Sequence, residues 1–163
     1  MAPAPFRVGL GYDAHRFAEG RRLVLGGVEI ASRVGLAGHS DADVVTHALI
    51  DALLGAAGLG DIGDLFPDTD PAYKDAPSLE LLAQVVSRVQ ETGWKVGNVD
   101  VVAVLEAPRL AGYREQMTRR LAHILGVSPG QVSVKATTTE GMGFEGRHEG
   151  VSATAVCLLV AAK

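Results

Sequence analysis

The chain has 163 residues, a formal net charge of -4 and one cysteine; 47% of its residues are hydrophobic and only 5% aromatic. This length suits a single domain with an aliphatic core. The negative charge, without any run of Lys or Arg, argues against a nucleic-acid-binding protein, which normally carries a basic stripe. A phosphate substrate is not excluded, because a bound metal can supply positive charge locally.

The first third of the chain predicts a strand, a hairpin and a helix. Phe6–Tyr12 has the apolar character of a buried strand. Arg22–Ile30 predicts a hairpin that turns at Gly26-Gly27. Ser40 is the expected N-cap of a helix that runs to about Gly58, with acidic residues in its first turn.

A long acidic loop and a second helix follow. Residues 58–77 contain five aspartates and little periodicity, which in a compact domain indicates a functional or disordered loop. Phe66, Tyr73 and three prolines favour order in at least part of it. Apolar residues at helical spacing predict a helix over Ser78–Glu91.

The second half predicts three strands, one helix and a glycine-rich loop. The strands are Trp94–Leu105, Gln131–Thr137 and Val151–Val160, the helix is Tyr113–Leu125, and the loop is Glu140–Gly150. Strands and helices alternate without repeats, so the expected class is α/β or α+β with a mixed sheet.

Targeting signals are not evident. The opening residues MAPAPFRVG lack the basic and apolar regions of a signal peptide, and Val151–Ala162 is too short to span a bilayer. A lone Cys157 in an apolar strand fits a reducing compartment and makes a poor nucleophile. We therefore expect a soluble, cytoplasmic protein.

An acid and an imidazole stand two residues apart near the first strand. Asp13 and His15 would share one face of an extended chain, with Cα atoms about 6.6–6.8 Å apart. Alone, this pair is more often a solvated surface feature. His47, on the following helix, would complete an Asp-His-His set, which suits a catalytic zinc with an open position.

An acidic stripe accompanies His47 on its helix. Asp43, His47 and Asp51 lie four residues apart and share one face. The stripe is either a solvated face or a source of carboxylates, Asp43 or Asp51, that orient an imidazole from behind the metal.

A second candidate site follows the strand at Gln131–Thr137. Three consecutive threonines and several glycines offer hydroxyl and backbone donors to phosphate oxygens. Glu140 is a candidate ligand for Mg²⁺, and Arg147 a candidate phosphate contact. The alternative is a Thr-rich strand that ends in a flexible loop.

Two glycine patterns do not predict dinucleotide binding. Residues 58–63 match G-x-G-x-x-G but follow a helix, and residues 9–14 follow a strand with no helix after them. The acidic loop lacks EF-hand spacing. Walker A and G-x-S-x-G sequences are absent as well.

Four segments together resemble one family, the 2-C-methyl-D-erythritol 2,4-cyclodiphosphate synthases of non-mevalonate isoprenoid biosynthesis. They are GYDAHRF, GHSDADVVTHALIDALLGAAGLGDIGDLFPDTD, NVDVV with the following EAPRL, and VKATTTEGMGFEGRHEG. In this order they cover almost the whole chain, and their combination is specific although each alone is not.

The resemblance implies an α/β subunit whose mixed four-stranded sheet carries helices on one face and which assembles as a homotrimer. Active sites would lie between subunits. They would convert 4-diphosphocytidyl-2-C-methyl-D-erythritol 2-phosphate to the cyclodiphosphate and CMP, with zinc and Mg²⁺ or Mn²⁺ as cofactors. Residues 1–163 would be one synthase domain, without room for the cytidylyltransferase of bifunctional relatives.

The resemblance also implies residue roles. Asp13, His15 and His47 match the zinc ligands and Glu140 the ligand of the second cation, while His39 and Thr138 match positions credited with transition-state stabilisation. Phe144 and Arg147 match the region near the trimer axis that can hold an isoprenoid diphosphate. The positions matched to substrate contacts are Asp13, His15, His39, Ser40, Asp61, Ile62, Gly63, Phe66, Pro67, Asp68, Thr69, Asp70, Leu105, Glu106, Ala107, Pro108, Arg109, Leu110, Ala111, Thr137, Thr138, Thr139, Glu140, Phe144 and Arg147. Among them, residues 61–63 and 66–70 match segments around the methylerythritol and phosphates, and residues 105–111 with Thr137 and Thr138 match a cytidine pocket supplied by the neighbouring subunit.

Two other functions use the same residues. A zinc phosphohydrolase would employ water as the nucleophile, although no general base for water is obvious. A trimeric metabolite-binding module would hold zinc structurally, although three ligands with an open position are typical of catalysis.

Overall fold

The computed structural model describes residues 5–162, which form one mixed sheet, a two-stranded hairpin and five α-helices. The strands are β1 (Phe6–Ala18), β2 (Leu23–Leu25), β3 (Val28–Ile30), β4 (Gly35–Leu36), β5 (Trp94–Val104), β6 (Val132–Thr137) and β7 (Gly150–Ala161). The helices are α1 (Val44–Ala57), α2 (Ile62–Leu65), α3 (Ser78–Glu91), α4 (Arg114–Leu125) and α5 (Gly143–Gly146).

The main sheet has the strand order β4-β1-β7-β5-β6. Strand β7 is antiparallel to both β1 and β5, and β5 is parallel to β6. The sheet is therefore mixed, as predicted, but it has five strands where four were expected. The additional strand β4 has only two residues, too few for an alternating pattern to identify it in the sequence.

One face of the sheet is covered by helices. Helix α1 packs closely on β1 because Gly9 and Gly11 carry no side chain: a Cβ there would lie 1.8 Å from the carbonyl oxygen of Ala52 and 1.9 Å from that of Ala48. The closeness of this packing decides how near α1 side chains come to the strand.

The other face of the sheet is open and apolar. Val8, Leu10 and Tyr12 on β1 are 58–69% exposed, and Val156 on β7 is opposite Leu10. The prediction of a strand in this region was correct, but a buried strand was expected and one face of β1 is exposed. Every second side chain of β1 meets solvent in the single chain.

Two boundaries near the candidate metal site differ from the prediction. Strand β1 continues to Ala18, so Asp13 and His15 lie within it, as does the 9–14 glycine pattern. Helix α1 begins at Val44 with Asp43 as its N-cap, not Ser40. The Asp43 carboxylate accepts the Thr46 backbone N–H, which is the bond that defines the cap.

The remaining elements follow the sequence closely. The hairpin turns at Gly26-Gly27, and α3 has the predicted bounds. The acidic loop is ordered in part, through α2 and a 3-10 turn at Pro71–Tyr73. Among residues 5–162 there is no helix with the length and apolar character needed to cross a membrane. Residues 1–4, part of the stretch compared with signal peptides, lie outside the described range.

Candidate metal centre and active site

Three side chains from β1 and α1 converge on one point. The Asp13 Oδ2 atom lies 2.9 Å from His15 Nε2 and 3.1 Å from His47 Nδ1, and the two imidazole nitrogens are 3.3 Å apart. These donors are the one cluster of three or more potential ligands found among the described residues. The sequence prediction that His47 completes the Asp13–His15 pair is thus confirmed in geometry.

The cluster has the donor chemistry and the spacing of a zinc site. Zinc accepts one carboxylate oxygen and two imidazole nitrogens. A tetrahedral site with bonds of about 2.0–2.1 Å separates its donors by about 3.3 Å. The observed separations of 2.9–3.3 Å need only a small expansion to admit the ion.

The backbone explains why these three side chains meet. Asp13 and His15 lie on the same face of β1 as Gly9 and Gly11, the face against which α1 packs. The missing side chains at the glycines let α1 approach, and this brings His47 within reach. On this face of β1, the two glycines therefore let α1 approach, and the two residues that follow supply the candidate ligands.

The electrostatics of the cluster favour a bound cation. Burial alone would raise the pKa of Asp13, but hydrogen bonds and charge interactions with His15 and His47 hold that pKa well below its usual range. Burial alone would lower the pKa of His15, but the Asp13 carboxylate raises that pKa above its ordinary value. The carboxylate is thus ionised near neutral pH and can act as a ligand, whereas a proton competes with a metal for His15.

Neither carboxylate of the acidic stripe on α1 orients His47, contrary to one of the two interpretations of that stripe. Asp43 is fully buried and accepts hydrogen bonds from the backbone N–H groups of Gly26 and Gly27, at 2.8 and 2.7 Å. Asp51 accepts the backbone N–H of Ile62 at 2.8 Å. The two residues fix neighbouring loops, and their hydrogen bonds go to these donors and not to the His47 ring.

The three side chains Asp13, His15 and His47 lie at the wall of a cavity of about 440 Å³. The acidic loop supplies one wall and the segment before α1 supplies another, so most residues predicted to contact the methylerythritol and phosphates gather here. His39 is held by a contact of 3.1 Å between its Nε2 and the Asp70 carbonyl oxygen. Asp61 caps α2 and does not line the cavity. The lining includes Asp13, His15, His39, Ser40, His47, Ile62, Gly63, Phe66, Pro67, Asp68 and Thr69.

A second cavity, of about 250 Å³, contains most of the residues predicted to bind cytidine. Glu106 joins its two walls, because its carboxylate accepts the Thr139 backbone N–H at 2.9 Å. That bond also holds the pKa of Glu106 below its ordinary value. The lining includes Leu105, Glu106, Pro108, Arg109, Leu110, Ala111, Thr137 and Thr138. None of these residues lines the metal cavity.

The loop before β7 carries the remaining predicted residues. Glu140 is exposed, has a positive φ of 55° and donates its backbone N–H to Thr138 Oγ1. Phe144 lines a third cavity, of about 550 Å³, together with Phe17 and His15. Arg147 does not line it, and pairs with Glu149 at 2.8 Å instead.

Comparison with known proteins agrees with this arrangement, since residues 6–160 match the YgbB family. The chain belongs to the YgbB family. One relative within it, the 2-C-methyl-D-erythritol 2,4-cyclodiphosphate synthase of Syntrophomonas wolfei, is 60% identical over 153 residues, which are 94% of this chain and 98% of the relative.

Other YgbB relatives are longer. The bifunctional enzyme IspD/IspF of Anaeromyxobacter dehalogenans is 60% identical over 162 residues, 99% of this chain, and the chain spans 42% of its length. The fold is shared with the IspF of Plasmodium falciparum, solved as a CDP complex, at a TM-score of 0.86 and 30% identity over 99% of this chain and 100% of that one.

The sequence analysis missed several residues that surround the two imidazoles in this structure. Ser78 contacts His47 Nε2 at 2.8 Å, and Asp41 accepts hydrogen bonds from Ser78. The carbonyl of Ala37 contacts His15 Nδ1 at 2.7 Å. Ser78 follows a proline at the start of α3, where a serine normally indicates helix capping, so no local signal distinguished its role.

Proposed function

We propose that residues 1–163 form one 2-C-methyl-D-erythritol 2,4-cyclodiphosphate synthase domain, a CMP-releasing lyase. Its substrate would be 4-diphosphocytidyl-2-C-methyl-D-erythritol 2-phosphate. The observation that carries the proposal is the convergence of Asp13, His15 and His47 at the wall of a cavity bounded by the acidic loop. Family membership and the CDP bound by the Plasmodium falciparum relative support it.

The proposed reaction is an intramolecular phosphoryl transfer. An oxygen of the 2-phosphate attacks the β-phosphorus, the bond from that phosphorus to the oxygen shared with the α-phosphate breaks, and CMP leaves. The nucleophile is already an anion, so the chain needs no strong base. Zinc at Asp13, His15 and His47, with Mg²⁺ or Mn²⁺ at Glu140, would supply positive charge that draws the phosphates together.

The chain's own residues would position the reacting groups. His39 lines the metal cavity with its ring fixed against the Asp70 carbonyl, and Ser40 follows it. Thr138 Oγ1 accepts one backbone N–H, which leaves its hydrogen free to donate to a phosphate oxygen gaining charge. Arg109, in the second cavity, would hold the nucleotide by its charge.

The proposed assembly is a homotrimer. The exposed apolar side chains of β1 and β7 form a patch of the kind that marks protein interfaces. The metal cavity and the cytidine cavity share no lining residue within one chain. Trimer formation would bury the open sheet face and place the cytidine cavity of one subunit beside the metal cavity of the next.

The third cavity is the proposed axial site for an isoprenoid diphosphate. Phe17 and Phe144 supply apolar surface suited to a prenyl chain. Arg147 would meet the diphosphate after exchanging its partner Glu149 for the ligand. A cytoplasmic location stays a prediction from the sequence.

Product analysis by ³¹P NMR tests the proposed reaction. Purified protein with the diphosphocytidyl substrate, zinc and Mg²⁺ should give CMP and a cyclic diphosphate, with two phosphorus signals coupled to each other. Inorganic phosphate in place of the cyclic product would identify a hydrolase. Retained substrate with zinc bound would indicate a binding module.

A further inference from the structure

The two ring nitrogens of His47 face different surroundings. Nδ1 points to Asp13 and His15, and Nε2 contacts Ser78 Oγ at 2.8 Å and Ser40 Oγ at 3.1 Å. His47 and both serines are buried, and Ser78 has no exposed surface. These contacts therefore hold the ring in one orientation.

The hydroxyl of Ser78 can serve His47 in one direction only. It donates its single hydrogen to Asp41 Oδ1, and a carboxylate offers only lone pairs. The Ser78 backbone N–H also donates to Asp41, to Oδ2 at 3.0 Å, so the carboxylate is held by two bonds from one residue. With its hydrogen committed, Ser78 Oγ can only accept from His47, and Nε2 must carry a proton.

Ser40 does not fix the protonation state of His47 Nε2. Its Oγ accepts the Ala42 backbone N–H at 3.2 Å, and its own hydrogen is not committed to a carboxylate. It can therefore act as donor or acceptor toward His47 Nε2. The two serines provide a matched pair, similar in distance and burial but different in what lies behind the hydroxyl.

His15 reaches the equivalent state through the backbone. Its Nδ1 lies 2.7 Å from the Ala37 carbonyl oxygen, which can only accept, so Nδ1 carries the proton and Nε2 faces the cluster. One histidine thus presents Nε2 and the other Nδ1. The protonated nitrogen of His15 is set by a main-chain carbonyl, whereas that of His47 is set by side chains, which can be replaced by mutation.

We propose that Ser78, held by Asp41, is a positioning residue that accepts the Nε2 proton of His47 and so makes Nδ1 the metal-binding atom. A hydrogen-bond acceptor behind a metal-binding imidazole fixes its tautomer and orientation and strengthens it as a ligand. The inference rests on the proposed metal site, and extends it to two residues that the sequence did not indicate.

The wild-type protein gives the first test. In ¹⁵N-labelled, zinc-loaded protein, long-range ¹H–¹⁵N spectra of the histidine rings report which nitrogen is protonated. We expect the proton on Nε2 for His47 and on Nδ1 for His15. A proton on Nδ1 of His47 would overturn the inference, and this result does not depend on any variant folding.

Matched variants give the second test. By competition with a zinc chelator, Ser78→Ala should bind zinc about 10- to 100-fold more weakly, the usual range for loss of such a partner. Ser40→Ala should lose clearly less. In Ser78→Ala the His47 Nε2–H signal should shift and exchange faster, while the His15 Nδ1–H signal remains as an internal control. Equal losses in the two variants, or none in Ser78→Ala, would contradict the inference.

These outcomes are separate from the fate of the proposed function. If the protein binds zinc through His47 Nδ1 but forms no cyclic diphosphate, the positioning role of Ser78 is supported and the proposed synthase function is refuted. If the protein forms the product while His47 binds zinc through Nε2, the synthase function is supported and the positioning role of Ser78 is refuted.

Discussion

Gly11 on β1 lies directly against the Ala48 carbonyl on α1, so that a Cβ at position 11 would be 1.9 Å from the carbonyl oxygen. The contact is between backbones, and no side-chain rotation can relieve it. It sets the distance between the strand that carries Asp13 and His15 and the helix that carries His47. Packing and metal binding therefore depend on the same glycine.

The first prediction follows from that contact. Gly11→Ala should lower the free energy of unfolding by about 3 kcal/mol or more, since α1 must move away. Gly55→Ala is the matched control, because position 55 is exposed within α1 and a Cβ there meets nothing within 4 Å. It should be neutral or stabilising by about 0.5–1 kcal/mol. Denaturant unfolding measures both; equal effects would refute the role of Gly11.

A pH prediction follows from the raised pKa of His15. In metal-free protein the Asp13–His15 pair stabilises the fold fully below the ordinary histidine pKa, and this contribution is lost as pH rises through the higher folded-state pKa. Zinc has the opposite dependence, because it needs the unprotonated His15. The difference in Tm between zinc-loaded and metal-free protein should therefore widen with rising pH.

Melting curves between about pH 5.5 and about pH 8.5 test this difference. The control is His123→Gln, which changes an exposed histidine on α4. It should leave the pH dependence in place. A Tm difference that stayed constant or narrowed with rising pH would show that no proton competes with zinc at the cluster.

The open sheet face gives a prediction about assembly. Leu10 is 69% exposed, so Leu10→Asp should cost little in the isolated chain but should place a charge inside the proposed trimer interface. Light scattering should show trimers for wild type and monomers for the variant. Gln84→Asp, an exposed site on α3, should remain trimeric. A trimeric Leu10→Asp protein would exclude this face as the interface.

Cys157 should be chemically inert in the folded protein. Burial raises the pKa of its thiol to about 11, which leaves on the order of one thiolate in ten thousand at neutral pH. A thiol reagent should modify it only after unfolding in denaturant. Mass spectrometry measures the extent of modification. Rapid stoichiometric modification of the native protein would contradict the burial of Cys157 in β7.

Much of the fold could be predicted because its signals are local. The spacing of apolar residues identified α3, and the glycine pair identified the hairpin turn. The two-residue strand β4 could not be found, because it exists only through pairing with the end of β1. The N-cap of α1 was misassigned to Ser40 because serine and aspartate are both good caps and three of them, Ser40, Asp41 and Asp43, compete within four positions.

In the candidate site, too, the residues that could be predicted are those with a local signal in the sequence. The spacing of Asp13 and His15 could be predicted from strand geometry, and His47 from its place on a helix face. Ser78 and Asp41 could not, because Ser78 meets both His47 and Asp41 across loops whose course no periodicity describes. Asp43 and Asp51 had suitable spacing, yet nearby backbone N–H groups are their partners.

The most direct test of the account is a zinc titration of chelator-treated protein with the diphosphocytidyl substrate and Mg²⁺ present. Cyclic diphosphate formation should be absent without zinc, return in proportion to bound zinc, and saturate at about one ion per chain. His47→Ala, which removes one of the three donors, should neither bind zinc stoichiometrically nor regain activity. Full activity without zinc, or stoichiometric zinc in His47→Ala, would contradict the assignment of Asp13, His15 and His47 as the metal centre.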